Sequence, residues 1–439
     1  MKNAKLDWAH AWADVQEQIR DASPFVEKLR SELPVLPFLS LPFAEELTAE
    51  LERHESFLRS FKHMLLLGIG GSALGPRALQ RAFAPAQDRP GCTGPWLWIA
   101  DNIQTDWLAD AFEKLPPEET VVVVISKSGG TIETMAQYLL VLPWLQEKLP
   151  GSWRDHLFMI TDSHKGFLRE EAEKHSIRSL PVPDNLGGRY SVLSAVGLVP
   201  AVFLGMDWKG LLQGALSVGR PLAQAPATLP DHPAWKLASW AWNMSQAGKN
   251  QLIYFCYIPS WSTFGPWFCQ LWAESLGKNG RGTMPIPATG VTDQHSLLQM
   301  FLDGPRDKAC LFVSSPADTS CLPMPSSLPA KWTYLEGHSF GDILDAETLA
   351  TRATLAQKGV PTVHLDMPDG SAFYAGKMMM LMEAATIFTG WLLDINPVDQ
   401  PAVETGKQLA RARLGMPGTE EDAGRLAAFT GIPSLLQDF

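Results

Sequence analysis

Short, almost wholly apolar runs alternate with amphipathic stretches along most of the 439-residue chain. The runs at 64–69 and 120–125 carry apolar side chains at nearly every position, which is typical of strands covered on both faces of a parallel sheet. The stretches at 76–84 and 131–145 instead repeat apolar residues at helical spacing. This alternation predicts an α/β fold in which crossover helices connect parallel strands.

A second series of strand-like runs follows a proline-rich joint near residues 225–233. The chain therefore predicts two doubly wound, flavodoxin-like α/β domains with parallel sheets, and a helical pattern covers residues 5–33 before them. The strand-like runs of this second series lie at 251–258, 309–314, 332–335 and 362–365. The expected boundaries are an N-terminal helical segment at 1–50, a first α/β domain at 51–205, a linker at 206–245, a second α/β domain at 246–395 and a C-terminal helical tail at 396–439.

Composition narrows the range of partners. The chain has 36 Lys and Arg against 47 Asp and Glu, whereas non-specific nucleic-acid and anionic-membrane binders normally carry a basic excess. The five cysteines form no CxxC pair and no Cys/His cluster, so a structural metal site is not expected. The N-terminal residues lack the apolar core of a secretory signal, and the most apolar late stretch, 378–393, is shorter than a membrane span. We therefore expect a cytoplasmic protein.

Glycines follow the first apolar run, in the sequence LLLGIGGSALG at 65–75. They let the backbone turn sharply and approach a ligand, and the N-terminus of the following helix favours an anion. One alternative is a dinucleotide site, because Gly68, Gly70 and Ala73 fit a loose GxGxxG/A pattern and Asp101 ends the next strand. Another is a turn that binds nothing.

Hydroxyl side chains follow the run at 120–125, in the sequence SKSGGTIET at 126–134. Hydroxyl and N–H donors at the start of a helix suit a phosphate group. The segment does not end in the GK[ST] of a nucleotide-binding loop, which argues against hydrolysis of nucleoside triphosphates. The simpler alternative is that Ser128 or Thr131 only caps the helix.

Four isolated side chains are candidate reactive groups. Arg189 follows two glycines and can stabilise an anion. His295 follows a predicted loop that contains Pro285 and Pro287, and it can transfer protons at physiological pH. Glu274 lies near the end of an otherwise apolar helix, where a carboxylate can act as a base. The simpler interpretations are that Arg189 forms a surface salt bridge, that His295 is structural and that Glu274 is a solvated acid at a helix end. Lys407, taken alone, would be a solvated lysine.

These motifs occur in the chain order of the glucose-6-phosphate isomerase family, which the sequence resembles over residues 65–410. The matching segments are GIGGSALGP, SKSGGTIET, NLGGRYSVLSAVG, QLWAESLGKNG, TDQHS and DQPAVETGKQLA. The resemblance implies two sugar-isomerase-type domains. It also implies reversible isomerisation of glucose 6-phosphate to fructose 6-phosphate by ring opening and a cis-enediolate, in glycolysis and gluconeogenesis. It further implies no metal or organic cofactor, and a homodimer with shared active sites. The charge and the apolar runs described above already predict no nucleic-acid or membrane partner.

The resemblance also implies roles for individual positions. Glu274 is similar to the base that moves a proton between C2 and C1, and His295 to the acid and base of ring opening. Lys407 resembles the tail lysine near the ring oxygen, and Arg189 the group that stabilises the cis-enediolate. The positions that resemble substrate contacts are Gly71, Ser72, Ser126, Lys127, Ser128, Thr131 and Gln400. The chain departs from the family at 129–130, where glycines replace larger residues. We therefore expect backbone N–H groups to donate a larger share of the hydrogen bonds to the phosphate.

Three other functions stay open at this point. A sugar-phosphate-binding regulator needs the anion cradle but not Glu274, His295 or Lys407. Another aldose–ketose isomerase of phosphosugars, with activity on mannose 6-phosphate for example, would keep the same catalytic groups. A nicotinamide-dependent oxidoreductase would use the glycines of 68–73 for a dinucleotide.

Overall fold

The structure is a computed structural model that describes residues 2–431. The described chain opens with a strand that later joins the second of two sheets, and two helices follow it. These elements are β1 (Lys5–His10), α1 (Ser23–Glu32) and α2 (Glu45–Leu58).

The first sheet has five parallel strands and is covered by helices on both faces. Its strands are β2 (His63–Leu67), β3 (Trp96–Ala100), β4 (Thr120–Ser126), β5 (Leu157–Thr161) and β6 (Arg178–Pro181). Its helices are α3 (Gly71–Phe83), α4 (Thr105–Lys114), α5 (Ile132–Lys148), α6 (Phe167–His175) and α7 (Ala195–Phe203). The spatial order of the strands is β3-β2-β4-β5-β6, as in a flavodoxin-like doubly wound sheet.

Alternation of side chains across β4 explains why this sheet is buried on both faces. Val121 and Val123 pack in a core with α3 and α7, whereas Val122 and Val124 pack in a separate core with α5 and α6. All seven residues of β4 are buried. A strand with two apolar faces therefore reads as a continuous apolar run, as the sequence predicted.

The second sheet adds one antiparallel strand to four parallel ones. Helices α8 (Trp208–Gln224) and α9 (Pro233–Gln246) precede it along the chain. Its own elements are β7 (Gln251–Cys256), α10 (Phe264–Leu276), β8 (Met284–Thr289), α11 (Leu298–Asp303), β9 (Lys308–Ser314), α12 (Phe340–Gln357), β10 (Thr362–Asp366) and α13 (Ala372–Leu392). The spatial order is β1-β10-β9-β7-β8. Two tail helices end the described chain, α14 (Ala402–Arg413) and α15 (Glu420–Thr430).

Three local predictions are wrong. Residues 5–10 form β1, which pairs antiparallel with β10, rather than the start of a helix; Leu6 and Trp8 pack against the core. The proline-containing segment Met284–Thr289, predicted as a loop, is strand β8 at the edge of the sheet, where proline is tolerated. Residues 332–335, predicted as a strand, lie in the 3₁₀ turn Ala330–Leu335, none of whose residues is buried.

Helix α13 is the centre of the second unit. Residues 206–245, predicted as a linker, form α8 and α9, which both pack on α13. Glu383 of α13 is fully buried, and neither of its carboxyl oxygens has a hydrogen-bond partner within residues 2–431. Burial raises the pKa of Glu383 well above its usual range, because the charged carboxylate is disfavoured away from water. Within the same residues, no helix is long and apolar enough to cross a membrane.

Candidate active site

A cavity of about 540 Å³ opens at the carboxyl edge of the first sheet. It lies where the chain turns out of β2 and β4, which is the position where ligands bind in open parallel sheets. Helix α10 of the second unit and tail helix α14 complete its walls. All of the predicted site residues except His295 line it, namely Gly71, Ser72, Ser126, Lys127, Ser128, Thr131, Arg189, Glu274, Gln400 and Lys407.

The glycine loop brings two segments into contact at the floor of the cavity. Gly71 begins α3, and a Cβ at this position would lie 2.2 Å from the carbonyl oxygen of Gly188 and 2.8 Å from the backbone nitrogen of Arg189. A side chain here would therefore push the arginine away from the N-terminus of α3. The loop after β2 thus positions both the helix N-terminus and Arg189.

The hydroxyl loop after β4 forms the opposite wall. Thr131 is the residue that precedes α5, yet its side chain makes no capping hydrogen bond to the helix. Its hydroxyl oxygen lies 3.1 Å from that of Ser126 and 3.5 Å from that of Ser128. The alternative in which Thr131 only caps the helix is therefore wrong, and three hydroxyl groups converge at the start of α5.

Charge at this wall comes from a lysine and a helix end. Lys127 lines the cavity, and burial lowers the pKa of its ammonium, while Asp162 and Asp184 act in the opposite direction. Gly129 has a φ of +60°, a conformation that residues with a side chain rarely adopt. This turn directs the chain into α5, whose dipole adds positive potential at the loop.

Arg189 is the most fully bonded side chain of the site. It is 3% exposed and lies in the 3₁₀ turn Gly188–Tyr190. Its Nε donates to Ser275 Oγ at 2.8 Å, and its Nη1 donates to Glu274 Oε2 at 3.3 Å and to Gln400 Oε1 at 2.6 Å. Its Nη2 donates to two backbone carbonyl oxygens of the segment 397–399, at 2.8 and 2.9 Å. All five N–H bonds of the guanidinium group are therefore in use.

Glu274 is held on α10 by two neighbours. Besides the Arg189 guanidinium, its carboxylate accepts a hydrogen bond from Gln270 Nε2 at 3.0 Å. The side chain of Glu274 is 31% exposed, so it faces the cavity rather than the apolar surroundings that the sequence suggested. Gln270 was not predicted as a site residue. Its spacing of four residues from Glu274 on one helix face was the signal in the sequence.

The tail helix brings positive charge to the mouth of the cavity. Lys407 Nζ lies 2.7 Å from Glu404 Oε1 on the same helix, and both side chains line the cavity. Arg411, one turn further along α14, also lines it and was not predicted. Val403, on the same helix, adds an apolar side chain to this part of the lining.

His295 lies apart from the other predicted residues. It ends the 3₁₀ turn Thr292–His295 after β8, its side chain is exposed, and it does not line the cavity. The turn itself is fixed: Gln294 Nε2 donates to the hydroxyl of Tyr257 at 2.6 Å and to Thr351 Oγ1 at 2.7 Å. An exposed histidine on a fixed turn is presented outward from its own chain.

Comparison with known proteins decides the family. A glucose-6-phosphate isomerase of Rubrobacter xylanophilus is 39% identical over 397 residues, which cover 87% of this chain and 89% of that relative. One from Thermus thermophilus is 34% identical over 414 residues, 91% of this chain and 96% of the relative. The family model of phosphoglucose isomerase matches residues 43–314. This chain belongs to the phosphoglucose isomerase family.

Solved structures place the fold in the same group. A hypothetical protein from Thermus thermophilus has a TM-score of 0.85 and 32% identity, covering 94% of this chain and 100% of that chain. A glucose-6-phosphate isomerase from Chlamydia trachomatis has a TM-score of 0.68 and 24% identity, covering 95% of this chain and 80% of that chain, and shares the fold. The predicted phosphoglucose isomerase family and its two-sheet α/β fold are confirmed.

The dinucleotide alternative for the glycine loop requires Asp101, and the carboxylate of Asp101 already has a partner in this phosphoglucose isomerase fold. Asp101 Oδ2 accepts hydrogen bonds from Arg77 Nε at 3.1 Å and Nη2 at 2.7 Å. The carboxylate that would bind a ribose hydroxyl is therefore engaged by an arginine. Residues 2–431 also bring together no group of three or more His, Cys, Asp or Glu side chains that could hold a metal ion.

Proposed function

We propose that this protein interconverts glucose 6-phosphate and fructose 6-phosphate through ring opening and a cis-enediolate. The observation that carries this proposal is the single cavity that joins an anion cradle to a carboxylate–arginine pair, Glu274 and Arg189. A regulator would need only the cradle. An aldose–ketose isomerase needs both, because it must hold the phosphate and move a proton on the carbon chain.

The phosphate of the substrate binds between the glycine loop and the hydroxyl loop. Ser126, Ser128 and Thr131 present hydroxyl donors, and Lys127 supplies a positive charge. The N-termini of α3 and α5 both open into the same cavity, and helix N-termini favour anions. Binding this non-reacting group fixes where C1 and C2 lie relative to α10.

Glu274 then acts as the base that carries a proton between C2 and C1. It removes the proton from one carbon and returns it to the other, so no oxidant or reductant is needed. Arg189 lies 3.3 Å from the carboxylate, and its positive charge stabilises the negative oxygen of the cis-enediolate. The hydrogen bonds that Arg189 donates to segment 397–399 hold this charge in place before substrate binds.

Ring opening requires a second acid–base group, and the cavity of one chain does not contain His295. We propose a homodimer in which the partner supplies its own His295 to this cavity, with Lys407 near the ring oxygen. The outward-facing turn at Thr292–His295 supports this arrangement. We further propose that the protein is a cytoplasmic enzyme and that the reaction serves glycolysis and gluconeogenesis.

A coupled assay tests the reaction directly. Purified protein is given fructose 6-phosphate, and glucose 6-phosphate is measured through a glucose-6-phosphate dehydrogenase that reduces NADP. We expect steady turnover that depends on the protein concentration. Absence of turnover with fructose 6-phosphate, in protein that is folded by circular dichroism, would refute the proposed function.

A mixing experiment tests the shared site separately. We expect the variants Glu274→Gln and His295→Ala each to have little or no activity alone, and they are refolded together and compared with each variant refolded alone. If the two groups come from different chains, each mixed dimer contains one intact site. Unbiased mixing makes about half the dimers mixed, so activity recovers to roughly a quarter of the parent value. A mixture that stays inactive, with mixed dimers shown by native mass spectrometry, would refute the shared site while leaving the reaction itself untouched.

A further inference from the structure

A second cavity lies between the N-terminal strand and the helices that cover the second sheet. Its volume is about 270 Å³, close to the lower end for small-molecule sites, and β1, α8, α9 and α13 all contribute to its walls. Much of the lining is apolar, with the indole of Trp8 on one side and Val218, Met378 and Leu381 on the others. The cavity shares no lining residue with the proposed active site.

Positive charge surrounds this apolar space. Lys5, Lys236 and Lys377 line the cavity, and Asp231 is the one acid among the described residues that do so. The chain as a whole carries a formal net charge of −11, so the charge of this cavity lining is opposite in sign to that of the whole chain. A local field of this sign attracts an anion.

Two of the three lysines, Lys236 and Lys377, are half-buried. The ammonium of Lys236 lies 4.5 Å from the centre of the Trp8 ring, and Lys377 is on the second turn of α13. Within residues 2–431, neither side chain forms an ion pair or donates a hydrogen bond. An anion in the cavity would be the first charged partner of either ammonium group among the described residues.

We propose that this cavity binds a small organic anion with a flat apolar body, such as an aromatic carboxylate, sulfonate or phosphate ester. The apolar body packs against Trp8 and Leu381, and the acid group pairs with Lys236 and Lys377. Both parts are needed, because much of the lining is apolar while the positive charge comes from the lysines. A bare inorganic anion can pair with the lysines, but it makes no packing contact with the apolar lining.

The probe for this proposal is 8-anilinonaphthalene-1-sulfonate, a fluorescent aromatic sulfonate. It is titrated into the full-length parent, the double variant Lys236→Met/Lys377→Met, and a control with two exposed lysines replaced, Lys148→Met/Lys358→Met. Both variants lose two positive charges, so general electrostatics is matched. We expect the pocket variant to bind the probe about tenfold more weakly than the control, and 10 mM inorganic phosphate not to displace the probe from the parent.

Two results would overturn the proposal. One is equal affinity in the pocket variant and the control. The other is full displacement by inorganic phosphate, which would place the probe in the cradle of the hydroxyl loop instead. Circular dichroism and isomerase activity check that each variant is folded; if the double variant does not fold, Lys377→Gln alone is compared with Lys358→Gln in the same titration.

Discussion

Replacing Arg189 by lysine tests whether this side chain holds the C-terminal segment to the site. The guanidinium group donates all five of its N–H bonds, two of them to backbone carbonyls of segment 397–399. A lysine keeps the positive charge but has only three N–H bonds on a single nitrogen. At least two of the five acceptors must therefore lose their partner.

The size of the loss follows from burial. Arg189 is 3% exposed, so water does not readily replace the missing donors. Of the five hydrogen bonds, those to Ser275 Oγ and to the carbonyl oxygen of Pro397 are buried, and the other three are partly buried. A buried acceptor left unpaired costs about 1–3 kcal/mol and a partly exposed one costs less, so we expect the free energy of unfolding to fall by about 1–3 kcal/mol. The kcat should fall as well, because Glu274 and Gln400 both lose a fixed neighbour.

The measurement is urea unfolding of Arg189→Lys and of the parent at one protein concentration, together with kcat and KM for fructose 6-phosphate. Arg77→Lys is the matched control. Arg77 also makes two hydrogen bonds to a carboxylate, that of Asp101, but both side chains are 32% exposed, so the expected loss is about 0–1 kcal/mol. An Arg189→Lys variant that is no less stable than the Arg77→Lys variant would refute the reasoning.

The remaining predictions concern chemistry and pH. Glu274→Gln should lower kcat by at least about 10²–10⁴-fold, and proton exchange between C2 and solvent that persists in this variant would contradict the role of base. Ser128→Asp should raise KM sharply because a negative charge in the cradle repels phosphate, and Ser217→Asp, on the distant helix α8, serves as control. Activity should survive exhaustive EDTA treatment; a loss reversed only by a divalent ion would oppose this. Burial lowers the pKa of His232 and of His364 to about 4, so the neutral form is favoured in the fold. The contribution of these two histidines to the free energy of unfolding should be fully present above about pH 6.5. It should be lost as the pH falls toward 4, by about 1–3 kcal/mol per histidine, and His364→Gln should make this decline shallower.

Strands buried on both faces were predictable, and edge strands were not. The continuous apolar run of β4 reports its burial directly. In contrast, β1 takes its conformation from β10, where Lys5 lies opposite Asp366, and no local pattern reveals a partner so distant along the chain. Strand β8 pairs on one side only, so it tolerates Pro285 and Pro287, which in the sequence are signs of a loop.

The site was predictable as a set of motifs but not as an arrangement. Short motifs indicated which loops carry functional residues, because strand-to-helix turns and hydroxyl clusters can be recognised from a few neighbouring residues. The hydrogen bond between Gln270 and Glu274 and the position of Arg411 depend on how α10 and α14 pack, which the sequence does not state. His295 illustrates the same limit: its motif was visible, but its exposed position outside the lining of the cavity depends on the turn that Gln294 fixes.

The order of the site along the chain has a consequence for synthesis. Both loops of the phosphate cradle are complete by Thr131, whereas Glu274 and Lys407 leave the ribosome much later. The core between the first sheet and helices α5 and α6 consists of residues between 65 and 177, so we expect this part to begin folding while translation continues. Protease resistance of stalled chains ending near residue 250, with and without fructose 6-phosphate, would measure this. If fructose 6-phosphate increases this resistance, the sugar phosphate is a ligand of the nascent chain before it becomes a substrate of the finished enzyme.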